Sequence, residues 1–233
     1  MSEPRLPPHV DAEFSEPARD LWLKRVSQLF YDTYMGIPLH KLPEDLRVYE
    51  HLLFRSRCSV VIELGTYNGG SALWFRDRLR TLGAYGHAER QHVIAVDRST
   101  AVAIKNLDSV DPNWRESISL VEGDLRDPEL PARVRSLIPA GARCLVSEDT
   151  DHTYETTRDA LEGFAEFVAI GSFFVVEDGF VDVEQMRPAE NWPRGVLPAV
   201  REWLEEQPSF RVRRDVELYG LSCNPEGYLE RVS

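Results

Sequence analysis

Long apolar runs are missing from this chain of 233 residues. No stretch approaches the roughly eighteen consecutive apolar residues that a membrane-spanning helix needs, and the N-terminus lacks the basic-then-apolar pattern of a signal peptide. The expectation is a cytoplasmic protein with no membrane partner. Basic excess is missing too. With 27 Lys and Arg against 39 Asp and Glu, the formal net charge is −12. A nucleic-acid partner leaves a basic stripe, and the short cluster Arg211, Arg213, Arg214 is too small to supply one, so no nucleic acid is expected. Cysteine is scarce: Cys58, Cys144 and Cys223 are odd in number and far apart, which fits reduced core thiols and excludes a disulfide or zinc framework. Histidines are scattered, with His40, His51, His87 and His92 in no common cluster. A two-histidine, one-carboxylate iron site therefore has no ligand set.

What is present suits a single α/β core with additions, since a chain of this length with 42% hydrophobic residues can bury one sizeable interior. Residues 1–16, with Pro4, Pro7 and Pro8, have little to bury and read as a flexible arm. Apolar positions Leu21, Leu23, Val26, Leu29 and Phe30 recur at helical spacing, predicting an accessory helix from Pro17 to Tyr34. Gly36 to Pro43 is a turn-rich connector. Pro43-Glu44-Asp45-Leu46 opens a second helix, with proline in its first turn and acids facing the dipole. The accessory helices thus cover 17–56, and the main domain 57–233.

Within that domain apolar bursts at 58–64, 92–97, 117–122, 143–148 and 172–177 alternate with helical segments near 69–82, 99–107, 127–137 and 153–169. The alternation predicts a doubly wound, mostly parallel sheet of the Rossmann-like kind. Phe210–Arg213 and Val216–Cys223 leave no room for a crossover helix between them, so an antiparallel hairpin is expected at the sheet edge, completing seven strands. The N-terminal helices and this hairpin are the surfaces through which a homo-oligomer could form.

Ligands of such sheets sit at the carboxyl ends of the strands. The first strand runs into Glu63-Leu64-Gly65-Thr66-Tyr67-Asn68-Gly69-Gly70-Ser71, a turn whose glycines let backbone approach a bound molecule and whose following helix offers free amides. The spacing is not the G-x-G-x-x-G of a dinucleotide site. The acid lies two residues before Gly65 and the next glycine four after it, a pattern that resembles motif I of class I S-adenosylmethionine (SAM) methyltransferases. Glu63 reads as an orienting residue for the turn and for the cofactor's amino-acid end. Asp97, followed by Arg98, is placed to accept hydrogen bonds from a ribose diol; it equally fits a nicotinamide dinucleotide or a plain helix-capping acid. Asp124 is placed for the adenine end, although Gly123-Asp124 is also a common turn.

The fourth and fifth strands end in Glu148-Asp149 and Glu177-Asp178. Three carboxylates, Asp149, Glu177 and Asp178, brought into one pocket repel unless a cation sits among them. Hard oxygen donors suit Mg2+ or a similar divalent ion. His152, three residues beyond Asp149, has the proton affinity a general base needs near neutral pH. Tyr67, Tyr154, Phe180 and Trp192 are candidate walls for an acceptor pocket, and Arg187 to Pro198 is a proline-rich insertion that could act as a lid.

In these segments, together with Gly36-Ile37-Pro38 through Asp45-Leu46 and the terminal Asn224-Pro225-Glu226-Gly227-Tyr228-Leu229, the chain resembles the cephalosporin hydroxylase family of SAM-binding proteins, near the macrolide deoxysugar O-methyltransferases. The resemblance implies a SAM cofactor held by Glu63, Gly65, Thr66, Tyr67, Asn68, Gly70, Ser71, Asp97, Arg98, Asp124 and Glu148. It also implies a divalent ion on Asp149, Glu177 and Asp178, with Asp149 and His152 catalytic and His152 the base. The expected activity is transfer of methyl to a hydroxyl of a small molecule, such as a sugar, a vicinal diol or another secondary-metabolite intermediate. Two rivals stay open: an oxidoreductase using a nicotinamide dinucleotide, and a non-catalytic scaffold or partner subunit.

Overall fold

The computed structural model describes residues 17–88 and 90–233; the expected flexible arm, 1–16, lies outside the described residues. Helix α1 (Ala18–Leu29) is followed by two short strands, β1 (Thr33–Tyr34) and β2 (Ile37–Pro38), and by α2 (Pro43–Ser56). The main domain then alternates β3 (Val60–Leu64), α3 (Gly70–Ala84), β4 (His92–Asp97), α4 (Ala101–Val110), β5 (Ile118–Glu122), α5 (Leu130–Arg135), β6 (Cys144–Glu148), α6 (Tyr154–Phe164) and β7 (Phe173–Val176). Helix α7 (Val196–Glu206) and strands β8 (Phe210–Val212) and β9 (Tyr228–Arg231) complete it. Among the described residues no helix is long and apolar enough to cross a membrane.

The main sheet has seven strands in the order β5-β4-β3-β6-β7-β9-β8. The first five of these pair in parallel, while β9 runs antiparallel to both β7 and β8. Strand order therefore reverses between β3 and β6, where Leu64 is paired with Glu148. A crevice opens at the carboxyl ends of such a pair, because the chain leaves the two strands in opposite directions.

Strand residues alternate between two apolar cores, as the period of two requires. Ile62, Ile94, Val146 and Phe174 pack with Leu161 and Phe164 of α6 and Trp203 of α7. Val61, Val93, Leu145 and Phe173 pack on the opposite face with Tyr49 and Leu53 of α2 and with Phe75 of α3.

Two expectations need correction. The connector after α1 is not all turn: Thr33 and Tyr34 pair with Pro38 and Ile37 in a small antiparallel ribbon, so the first helix ends at Leu29, not near Tyr34. The second strand of the edge hairpin is Tyr228–Arg231, and Val216–Cys223 forms no strand. Val216 and Cys223 at its ends are buried, but Leu218, Tyr219 and Leu221 between them are all more than two-fifths exposed, so the middle of that stretch packs against nothing. Tyr228 and Leu229 are fully buried.

Candidate active site

A cavity of about 750 Å³ lies over the carboxyl ends of β3, β4, β5 and β6 and reaches Asp178 beyond β7. The glycine turn forms one wall. Gly65 has φ +93°, and a Cβ there would stand 1.9 Å from the Asp149 carbonyl oxygen, so only glycine lets β3 leave the sheet beside β6. Gly70 is pressed onto the preceding segment, where a Cβ would meet the Pro38 carbonyl oxygen at 2.2 Å. The N-terminus of α3 has no side-chain cap, and Thr66, Tyr67, Asn68 and Ser71 line the cavity before it.

Asp97 lines the same cavity and accepts hydrogen bonds from the backbone N–H of Tyr67 (2.8 Å) and of Ser99 (3.2 Å). It thereby ties the glycine turn to the end of β4. Arg98 donates to Asp151 at 3.0 Å. Asp124 reaches the cavity beside Gly123, but Arg126 clamps its carboxylate through Nε (2.9 Å) and Nη2 (2.6 Å). That clamp, with the Arg126 backbone N–H, holds the Asp124 carboxyl well below the usual range.

Glu63 and Glu148 stand behind the cavity surface, each fully buried. Neither Glu63 oxygen makes a hydrogen bond of ordinary geometry, and one Glu148 oxygen is likewise unpartnered. Burial pushes both carboxyls up to about 7; Lys41 pulls Glu63 back, and the Thr150 hydroxyl does the same for Glu148.

Beside the glycine turn, Asp149, His152 and Asp178 bring one ligand atom each to within 4.8 Å of one another. His152 Nε2 lies 3.3 Å from Asp178 Oδ2 and 3.9 Å from Asp149 Oδ1, while its Nδ1 is buried and unpartnered. Burial opposes the charge on the imidazole, but Asp178 and Asp149 outweigh it and raise its proton affinity. Burial raises the Asp178 carboxyl to about 7, against the pull of His152.

Both His152 (φ +55°) and Asp178 (φ +58°) sit in the left-handed region. The Asp178 backbone N–H donates to Asn224 Oδ1 at 3.0 Å, which helps hold that conformation. Asn224 belongs to a loop fastened by buried Asp45, which accepts from Ser222 Oγ (2.6 Å), Cys223 N (2.9 Å) and Tyr228 Oη (3.0 Å).

Glu177 is turned away from this group. Its oxygens accept from Lys41 Nζ at 2.6 and 2.7 Å, from Tyr49 Oη at 2.7 Å and from Ser147 Oγ at 2.7 Å. Lys41 also donates to Asp149 Oδ2 at 2.7 Å. Neither Lys41 nor Tyr49 is signalled by the sequence: one lies within the turn-rich connector and the other on a helix, and neither spacing points to a partner more than 100 residues away.

Aromatic rings line one wall of the cavity. Phe180 and Trp192 have ring centroids 5.8 Å apart, Trp192 and Phe30 6.3 Å, Phe30 and His40 5.8 Å, and His40 and Tyr67 6.2 Å. Phe180, Trp192 and Tyr67 were expected there. Tyr154 is not part of this wall: its hydroxyl donates to Glu202 on α7 at 2.6 Å.

Residues 27–232 match the family described as "Rhamnosyl O-methyltransferase/CmcI", and the chain belongs to that family. Among curated proteins it is similar to the rhamnosyl O-methyltransferase of Mycobacterium bovis (strain BCG / Pasteur), 27% identical over 207 residues, with 85% of this chain and 78% of that protein covered. The Mycobacterium leprae protein of the same name is 26% identical over 206 residues, covering 85% and 82%. Among solved structures the chain resembles one described as cmcI-D160 with Mg and SAM, at a TM-score of 0.66 and 22% identity over 97% of this chain and 90% of that one. An O-methyltransferase from Bacillus cereus in complex with SAH follows at a TM-score of 0.56 and 17% identity, covering 87% and 86%.

Proposed function

We propose that this family member is a SAM- and divalent-metal-dependent O-methyltransferase acting on a hydroxyl of a small-molecule acceptor. The observation that carries the reading is the meeting of Asp149, His152 and Asp178 within 4.8 Å in the same cavity as the glycine turn and Asp97. The curated relatives' printed activity, and the Mg and SAM named for one structural neighbour, agree with it.

SAM supplies an electrophilic methyl, and a divalent ion lowers the pKa of a hydroxyl bound to it. The carboxylate oxygens of Asp149 and Asp178, with no thiol in the group, fit such an ion. Asp149 and Asp178 would hold it, with Glu177 behind them. The N–H groups at the start of α3 and the Asp97 carboxylate bind the cofactor's polar ends, and buried Glu63 supports the turn from behind. His152, its basicity raised by two carboxylates, takes the acceptor proton. The aromatic wall excludes water and presses a flat or apolar face of the acceptor toward the acids.

The test is transfer of labelled methyl from SAM to a panel of sugars and vicinal diols, with Mg2+ and with a chelator, beside calorimetric titration of SAM and of NAD. Metal-dependent labelling with SAM binding supports the reading. NAD binding in place of SAM would return the protein to the oxidoreductases, and SAM binding with metal-indifferent or absent transfer would favour a scaffold.

A further inference from the structure

Lys41 is the buried cation of the site, with only 2% of its side chain exposed. An ammonium has three N–H donors, and here each has a carboxylate oxygen: Asp149 Oδ2 at 2.7 Å, Glu177 Oε1 at 2.6 Å and Glu177 Oε2 at 2.7 Å. No donor is left over for a substrate, so Lys41 acts through the acids it holds. The backbone around it is fixed on both sides. Leu39 N–H donates to Asp32 at 3.0 Å, Leu42 is buried, and Pro43 opens α2.

The pairing has a directional consequence. Because Oδ2 of Asp149 is taken by Lys41, its Oδ1 is the oxygen beside His152. Both oxygens of Glu177 accept from the same ammonium. Two of the three carboxylates at neighbouring strand ends are thus tied to one fixed positive charge, and a buried ion pair of this kind specifies geometry more than it adds stability.

We propose that Lys41 is a positioning residue of the cation seat: a resident ammonium that orients Asp149 and Glu177, so that a divalent ion binds against a fixed positive charge. The inference rests on the reading of Asp149 and Asp178 as cation ligands. Removing Lys41 should therefore strengthen ion binding while disordering the seat, two effects that a lysine serving only to fill the core would not produce together.

The experiment is calorimetric titration of Mg2+ and Mn2+ into SAM-free protein, for the wild type, Lys41→Met, Glu177→Gln and the Lys41→Met/Glu177→Gln double variant. Lys41→Met should lower the Mg2+ Kd by about tenfold or more, and should do so in the Glu177→Gln background if the single variant does not fold. Methyl transfer at saturating metal should fall in the same variants. An Mg2+ Kd unchanged or raised by Lys41→Met, in whichever background folds, overturns the proposal while leaving a metal-binding wild type and the methyltransferase reading intact. Absence of ion binding in the wild type and every variant would overturn the cation seat and this inference together. Binding that appears only once Lys41 is removed would support the resident-charge role.

Discussion

The carbonyl oxygen of Asp149 occupies the space that a side chain on residue 65 would need, 1.9 Å from the position of its Cβ. Because Gly65 ends β3 and Asp149 follows β6, this contact joins the proposed cofactor turn to the proposed cation seat at the point where strand order reverses. Gly65→Ala would meet both a backbone clash and a φ of +93°. A loss of about 3 kcal/mol or more is expected, measured by urea unfolding, with SAM affinity falling beyond what the residual folded fraction explains. A variant as stable as the parent would show that the turn can move away from β6.

His152→Ala tests the base. General bases contribute about 10²–10⁴-fold in rate, and a fall of that size in kcat is expected while SAM binding, measured by calorimetry, stays near the wild-type value. The wild-type rate should climb with pH as the imidazole gives up its proton, and the variant should lose that climb. Near-normal turnover in the variant would remove His152 from the proton path.

The glycine turn and the acids at the strand ends were legible because they are local: Glu63 to Ser71 carry their own spacing, and Asp149-x-x-His152 and Glu177-Asp178 are short patterns. The parallel core followed from apolar bursts at regular intervals. What was not legible depends on burial. Leu218, Tyr219 and Leu221 are apolar enough to suggest a strand yet stay exposed, while Tyr228–Arg231, only four residues long, is inserted beside β7. Lys41 reads as an ordinary surface charge until the fold closes over it. The ion pair with Glu177 is a tertiary fact, and it divides the acid trio into a pair facing the cavity and a third carboxylate facing inward.

Glu63 gives the apo protein a characteristic pH dependence. Its carboxyl is raised from 4.5 to about 7 by burial, against the pull of Lys41. The folded state therefore holds the proton more tightly than the unfolded chain, and the stabilisation is complete below the unfolded value and lost as pH rises through about 7. On the order of 2–3 kcal/mol is at stake. Urea midpoints of SAM-free protein should fall across this window, and Glu63→Gln should flatten the decline. A wild-type profile no steeper than that of the variant would count against a protonated Glu63.

The aromatic wall depends on one buried cation that the proline-rich insertion encloses. Arg187, 3% exposed, donates to the carbonyls of Glu190 (2.8 Å), Pro193 (3.0 Å), Trp192 and Val181. These bonds fold residues 187–193 back on themselves and hold Trp192 between Phe30 and Phe180. Arg187→Met keeps the stem but strands those carbonyls, at about 1–3 kcal/mol for each one left buried, so the insertion should loosen and Trp192 should leave the wall. With Trp192 on the proposed acceptor side and Asp97 and the α3 amides on the proposed cofactor side, the acceptor KM should rise about tenfold with SAM affinity within about twofold. Trp192→Ala should reproduce the KM effect without the loss of stability that accompanies Arg187→Met. Steady-state kinetics with each substrate varied in turn separate the two sides: equal damage to both would mean that the insertion supports the whole cavity, and an unchanged acceptor KM would mean that Trp192 does not contact the acceptor.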